Sequence, residues 1–156
     1  MKRFAAVLLS VLLLVGCGGG GQSHSSTPSA IEVDPLPELT MKVVRGTVTP
    51  AGMDLEISNM SRWDIDFGEP YWLQVYDDGQ WYDLTLVDEK AGMDFVAVGY
   101  GLQGGAGKSM VLTENWSHFY GELQPGTYRL LKHVTYCELG YKQRDVVLTA
   151  EFEIEK

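Results

Sequence analysis

Toward the C-terminus, Val146, Leu148, Ala150, Phe152 and Ile154 alternate with Val147, Thr149, Glu151, Glu153 and Glu155. This is the two-residue period of a strand with one face buried and the other wet. Met53, Leu55 and Ile57 alternate in the same way with Asp54, Glu56 and Ser58. Beyond the first 16 residues no segment sustains a 3.6-residue apolar repeat, and short β-rich runs recur instead. They predict strands over Met41–Thr49, Met53–Asn59, Tyr71–Asp77, Trp81–Leu86, Asp94–Val98, Lys108–Thr113, Thr127–Tyr136 and Asp145–Glu155. The separators Pro50-Ala51-Gly52, Asp77-Asp78-Gly79 and Gln124-Pro125-Gly126 carry turn chemistry. The pattern is all-β, and strands of this number and length in one domain favour a two-sheet antiparallel sandwich.

The N-terminus departs from this pattern. Lys2 and Arg3 precede an apolar run from Phe4 to Val15 that is too short for a permanent membrane span, the layout of a secretory signal. Leu14-Val15-Gly16-Cys17 resembles the lipobox of bacterial lipoproteins, which implies cleavage of residues 1–16 and lipid on the Cys17 sulfur. Gly18 to Gly21 and the polar segment Gln22–Ser29, His24 included, offer almost nothing to bury, so residues 17–37 are expected to form a lipidated, flexible tether. About a dozen such residues span on the order of 20 Å. The expected organisation is therefore a signal over 1–16, a tether over 17–37 and one folded domain over 38–156, lipid-anchored on the extracytoplasmic side of the cell membrane.

Charge and cysteine content narrow the functional classes. The chain carries 12 basic and 21 acidic residues, and loss of Lys2 and Arg3 with the signal takes the formal net charge from −9 to −11. Such a balance argues against nucleic acid, whose phosphates require clustered Lys and Arg. With Cys17 lipidated, Cys137 is the single remaining thiol, which leaves no intramolecular disulfide and favours a packing role for Cys137. Gly104-Gly105-Ala106-Gly107-Lys108-Ser109 has the composition of a nucleotide P-loop, but the first glycine of that motif would fall at Leu102. The stretch Gly99–Gly107 reads as a mobile glycine-rich loop; where it borders a binding site, Tyr100 and Leu102 are its contact side chains. Acidic clusters at Asp64 and Asp66, Asp77 and Asp78, and Asp88, Glu89 and Asp94 lack the spacing of an EF-hand and read as solvated turns, with no metal site assigned. The sequons Asn59-Met60-Ser61 and Asn115-Trp116-Ser117 read as chance matches. His118 and His133 sit in no nucleophile or metal motif, so no catalytic residue and no cofactor are assigned.

Leu123-Gln124-Pro125-Gly126-Thr127-Tyr128 places a Tyr just after a turn at the start of a late strand. That is the setting of a tyrosine corner, in which the phenol bonds the backbone upstream. Asn59-Met60-Ser61, then Ile65-Asp66-Phe67-Gly68, Tyr71, Asp78-Gly79, Trp81-Tyr82, and finally Leu123–Gly126 with Tyr128-Arg129-Leu130 resemble, in that order, bacterial immunoglobulin-like domains of a type common in Gram-positive secreted and lipid-anchored proteins. The likeness covers about residues 38–156. It implies an immunoglobulin-like sandwich outside the cytoplasm and supplies no catalytic residues.

Aromatic residues supply the candidate binding chemistry. Trp63, Tyr71, Trp72, Tyr76, Trp81, Tyr82, Trp116 and Tyr120 fall in two stretches, and most are expected to fill the core or cover an edge. Strand alternation puts Tyr71, Leu73 and Val75 on one face and Trp72, Gln74 and Tyr76 on the other, so Trp72 and Tyr76, with Trp81 nearby, are the candidate binding residues. The reading is a membrane-anchored, non-catalytic binding or protein-interaction module with a protein or carbohydrate partner. A structural spacer or folding partner without its own ligand is the alternative, with a cell-envelope enzyme third.

Overall fold

The computed structural model describes residues 22–33, 36–88, 98–105, 107–138 and 142–156. The expected signal, Cys17 and residues 94–97 of the strand expected over Asp94–Val98 lie outside the described residues. Alternation in β2 (Gly52–Asn59) buries Met53, Leu55 and Ile57. The strand pairs antiparallel with β1 (Leu39–Val43) on one side and β7 (Lys108–Asn115) on the other, a three-stranded sheet.

The second sheet is organised by a long hairpin, β8 (Gly126–Glu138) with β9 (Lys142–Ile154), paired from Gly126 opposite Ile154 to Glu138 opposite Lys142. On the other flank of β8 two strands follow one another end to end. β3 (Asp64–Gly68) pairs with Val134–Cys137, and β4 (Trp72–Asp77) pairs with Tyr128–Leu131. β5 (Gln80–Asp83) extends the sheet beyond β4 and β6 (Gly99–Leu102) extends it beyond β3. One helical turn, α1 (Ser117–Tyr120), follows β7. Among the described residues the fold is an all-β sandwich of two antiparallel sheets, of three and six strands.

The β4–β5 hairpin turns on Asp78 and Gly79, with φ of 44° and 81°. Positive φ at both central residues is what a type I′ turn requires, and Asp-Gly supplies it at low cost. The strand expected over Met41–Thr49 instead begins at Leu39 and ends at Val43. The chain then turns through Gly46, at φ 80°, with the Thr47 hydroxyl bonded to the Val44 carbonyl at 2.8 Å. In β9 the expected face, Val146, Leu148, Ala150, Phe152 and Ile154, is buried. The opposite face is wet only in part: Glu151 and Glu153 are exposed, Thr149 is half-buried and Val147 is buried.

Two strands escape the apolar pattern. β3 has a short Asp-Ile-Asp-Phe-Gly alternation, and β6 lies within the stretch expected to be a mobile loop. Gly101 of β6 lies close to β3: an added Cβ would sit 3.2 Å from the Asp66 carboxylate. Leu102 is buried core and Tyr100 is half-buried, stacked on Phe67 at 5.5 Å. Part of the segment expected to be a tether is also engaged with the domain. Ser25 and Ser29 donate backbone hydrogen bonds to the carbonyls of Asp83 and Trp81, and His24 forms a β-bridge with Leu84.

Tyr128 behaves as the sequence suggests, its hydroxyl donating to the Gln124 carbonyl at 2.8 Å. Its ring stacks on Phe152, and Phe152 stacks on Trp116, with centroids 5.7 and 5.2 Å apart. Trp116 is fully buried and its indole N–H donates to the Pro50 carbonyl at 2.7 Å, tying the turn before β2 to the core.

Candidate functional site

Strand register decides which side chains share the outer face of the six-stranded sheet. Trp72, Gln74 and Tyr76 of β4 stand beside Trp81 and Asp83 of β5 and beside Arg129 and Leu131 of β8. Trp72 and Tyr76 are 39% and 46% exposed, too wet to be core, whereas Tyr71, Trp116 and Tyr120 are buried. Tyr76 packs on Trp81 with ring centroids 5.0 Å apart, and His133 meets Trp72 edge-on at 4.8 Å. The Arg129 guanidinium lies 4.4 Å over the half-buried Trp81 ring, within cation–π range.

This face is held rigid by a hydrogen-bonded chain beneath the aromatics. Arg129 Nε donates to Gln74 Oε1 at 2.6 Å, and Gln74 Nε2 donates to Asp83 Oδ1 and Ser29 Oγ, each at 2.6 Å. Gln74 is fully buried although it belongs to the outer face, because the N-terminal segment crosses it. Its amide therefore needs these partners, since an unpaired buried amide is costly.

A second site lies between the sheets, and no sequence motif marked it. Four residues, Gly68 to Tyr71, separate the last β3 residue paired with β8 from the first β4 residue paired with it, while only Lys132 and His133 face them on β8. Pro70 has no N–H to offer a ladder there. Lys132 points inward at this joint and is fully buried, and its Nζ donates to the Glu69 carbonyl at 2.8 Å. The same Nζ meets Glu114 Oε1, from β7 in the other sheet, at 2.9 Å, and stands 5.6 Å from the Tyr71 ring centroid. A salt bridge thus crosses the sandwich.

Beside this pair opens a cavity of about 590 Å³, walled by Glu69, Tyr71, Tyr100, Phe119, Glu114 and the β7 stretch from Met110. The Tyr100 hydroxyl donates to Glu69 Oε1 at 3.3 Å, and the Tyr71 hydroxyl donates to the Asn115 carbonyl at 3.0 Å. Burial raises the Glu114 carboxyl above the ordinary carboxylate range, against the lowering effect of Lys132. Tyr71 is pushed far above the ordinary phenol range, first by burial and then by Glu114 and Tyr120. Of the glycine-loop residues named from sequence, Tyr100 lines this cavity and Leu102 does not.

Lys132 and Glu114 did carry a signal. Both occupy inward positions of their strands, Lys132 within Tyr128-Leu130-Lys132-Val134-Tyr136 and Glu114 within Met110-Leu112-Glu114. A charge at an inward strand position needs a partner, though alternation does not say which one.

The remaining candidates are accounted for locally. Cys137 is half-buried and its thiol lies 3.3 Å from Asp66 Oδ2, and that hydrogen bond, followed by burial and the Asp66 charge, raises the thiol pKa. The contact with Asp66 therefore disfavours loss of the thiol proton. In the stretch resembling a P-loop, the Gly104 and Gly105 amides are spent on Asp64 Oδ1 at 2.8 Å and the Ser61 carbonyl at 2.7 Å. Among the described residues, no group of three or more His, Cys, Asp or Glu is placed to hold a metal.

Residues 35–153 match the family model described as a bacterial Ig-like domain. The chain belongs to that family. No curated protein sequence is significantly similar to it. In antibody members of the wider architecture a disulfide joins the two sheets. In this Ig-like domain Cys137 is free, and the Lys132–Glu114 bridge spans the sheets instead.

Proposed function

We propose that this Ig-like domain is the exposed part of a membrane-anchored extracytoplasmic lipoprotein and acts as a non-catalytic docking module for a protein partner. The observation that carries the reading is the outward pair Trp72 and Tyr76, wet in the isolated chain yet seated on the rigid Gln74–Arg129–Asp83 network. Large aromatics on a fixed platform are the side chains that most often dominate interface energy, because little entropy is lost when they are covered. Asp77, Asp78, Glu151 and Glu153 are exposed around or along the same sheet, which suits a partner with a basic rim.

Cys17 provides the anchor in this reading. With Gln22 bonded to the Tyr120 carbonyl at 2.8 Å and the following residues laid along β5, only Gly18 to Gly21 separate the lipid from the domain. Four such residues span about 12 Å, so the domain sits close to the headgroups.

Affinity recovery from membranes with the intact lipoprotein tests both parts. Trp72→Ala and Tyr76→Ala should each weaken partner recovery while leaving the thermal midpoint nearly intact, and added salt should weaken recovery. Cys17→Ser should release the protein from the membrane fraction. Recovery unchanged by both aromatic variants would remove the docking face from the proposal, and an unmodified Cys17 by mass spectrometry would remove the anchor.

A further inference from the structure

From the inter-sheet cavity we infer a second binding site, which takes a small organic cation: its charged nitrogen lies between the Glu69 and Glu114 carboxylates, and its carbon atoms lie against Tyr71, Tyr100 and Phe119. The cavity's size, about 590 Å³, falls in the range of small-molecule sites. Its charges are not balanced. Lys132 offsets one of the two carboxylates, and its ammonium is already committed to Glu114 Oε1 and the Glu69 carbonyl. The second carboxylate, Glu69, is met by the Tyr100 hydroxyl at 3.3 Å, a neutral donor that cancels no charge.

The lining matches that charge. Two tyrosines and a phenylalanine present ring surface beside the carboxylates, and ring faces attract ammonium groups by their quadrupole. The site already displays the preference in its own wall, where the Lys132 ammonium stands 5.6 Å from the Tyr71 ring and 2.9 Å from a carboxylate. A ligand cation beside Glu69 completes an alternating row of ligand, Glu114 and Lys132 charges. An anionic ligand would face two carboxylates with the single ammonium already paired.

The site is built on rigid elements. Glu69 and Tyr71 come from the β3–β4 joint, which Lys132 pins, and Glu114 comes from β7. It is distinct from the proposed docking face, because Lys132 points inward while Arg129 and Trp72 share the outer face of the same sheet.

The test is titration of the intact chain in nonionic detergent with n-butylammonium, tetramethylammonium and butyrate at constant ionic strength, followed by amide NMR shifts. The two cations should saturate with Kd on the order of 1 mM, shifting Tyr100, Leu112 and Phe119, while butyrate should not saturate. Glu69→Gln should weaken both cations about tenfold with the thermal midpoint unchanged, since a charge-assisted contact is lost and no buried partner is stranded. Tyr100→Leu, which keeps both carboxylates, should weaken tetramethylammonium more than n-butylammonium. Trp72→Ala should change nothing here, which separates this site from the docking face. Equal binding of butyrate, absence of saturation to about 50 mM, or cation binding that survives Glu69→Gln unaltered would overturn the assignment.

Discussion

The two faces of the six-stranded sheet treat polar and aromatic groups in opposite ways. On the inner face a charge is buried outright: Lys132 is sealed against Glu114 and the Glu69 carbonyl beside a cavity. On the outer face the charge of Arg129 is spread over Trp81 and Gln74, while the aromatics Trp72 and Tyr76 remain wet. Inside, an ion pair persists only if every partner is kept, because desolvation rivals the attraction. Outside, exposed rings cost the fold little and remain available for contact. The inner arrangement couples the sheets, and the outer one leaves stability and recognition separable.

Loss of Lys132 should disturb the inner face most. Lys132→Ala strands Glu114 in the interior and should cost about 3 to 5 kcal/mol in urea unfolding, whereas the double variant Lys132→Met with Glu114→Leu should recover most of the loss. A small cost for the single variant would mean that water reaches the pair freely. A smaller effect should appear against pH. Because the Glu114 carboxyl is raised in the folded state, the native chain binds the extra proton, so its contribution is fully present below the unfolded value and is lost as pH rises through the folded one. Relative to Glu114→Gln, the wild-type chain should therefore lose stability as pH rises from about 4.5 into that raised range. Parallel stability profiles for the two proteins would deny the shift. The smallest effect is expected outside: Trp72→Ala should cost about 1 kcal/mol or less, against the roughly 3 to 5 kcal/mol typical of a buried tryptophan such as Trp116. A large loss at Trp72 would place it in the core and dissolve the contrast.

Much of the architecture was legible because strand period is a local property. β2, β7, β8 and β9 follow their alternation, and Tyr128 could be assigned a corner because the turn and the ring lie within a few residues. β6 was not legible, since Gly99 and Gly101 carry no side chain to register on either face and the strand exists because β3 is there to pair with it. The contacts of Gln22 to Ser29 with the domain were not legible for a related reason. The composition of these residues has nothing to bury, yet backbone groups alone suffice to lay Ser25 and Ser29 along β5. The outward position of Trp72 and Tyr76 followed from alternation, but the Gln74–Arg129–Asp83 platform beneath them joins three strands and the N-terminal segment.

The all-β class, the faces of the regular strands, the Asp78-Gly79 turn and the acidic charge are all written in neighbouring residues. Tertiary structure alone decided the cavity and its ion pair. Glu69, Glu114 and Lys132 come from the β3–β4 joint, β7 and β8, separated widely along the chain, and they meet only where two sheets stack and a four-residue joint faces two residues of β8. Alternation can say that a lysine points inward; what lies across the sandwich from it depends on strand order and register, which are properties of the assembled sheets.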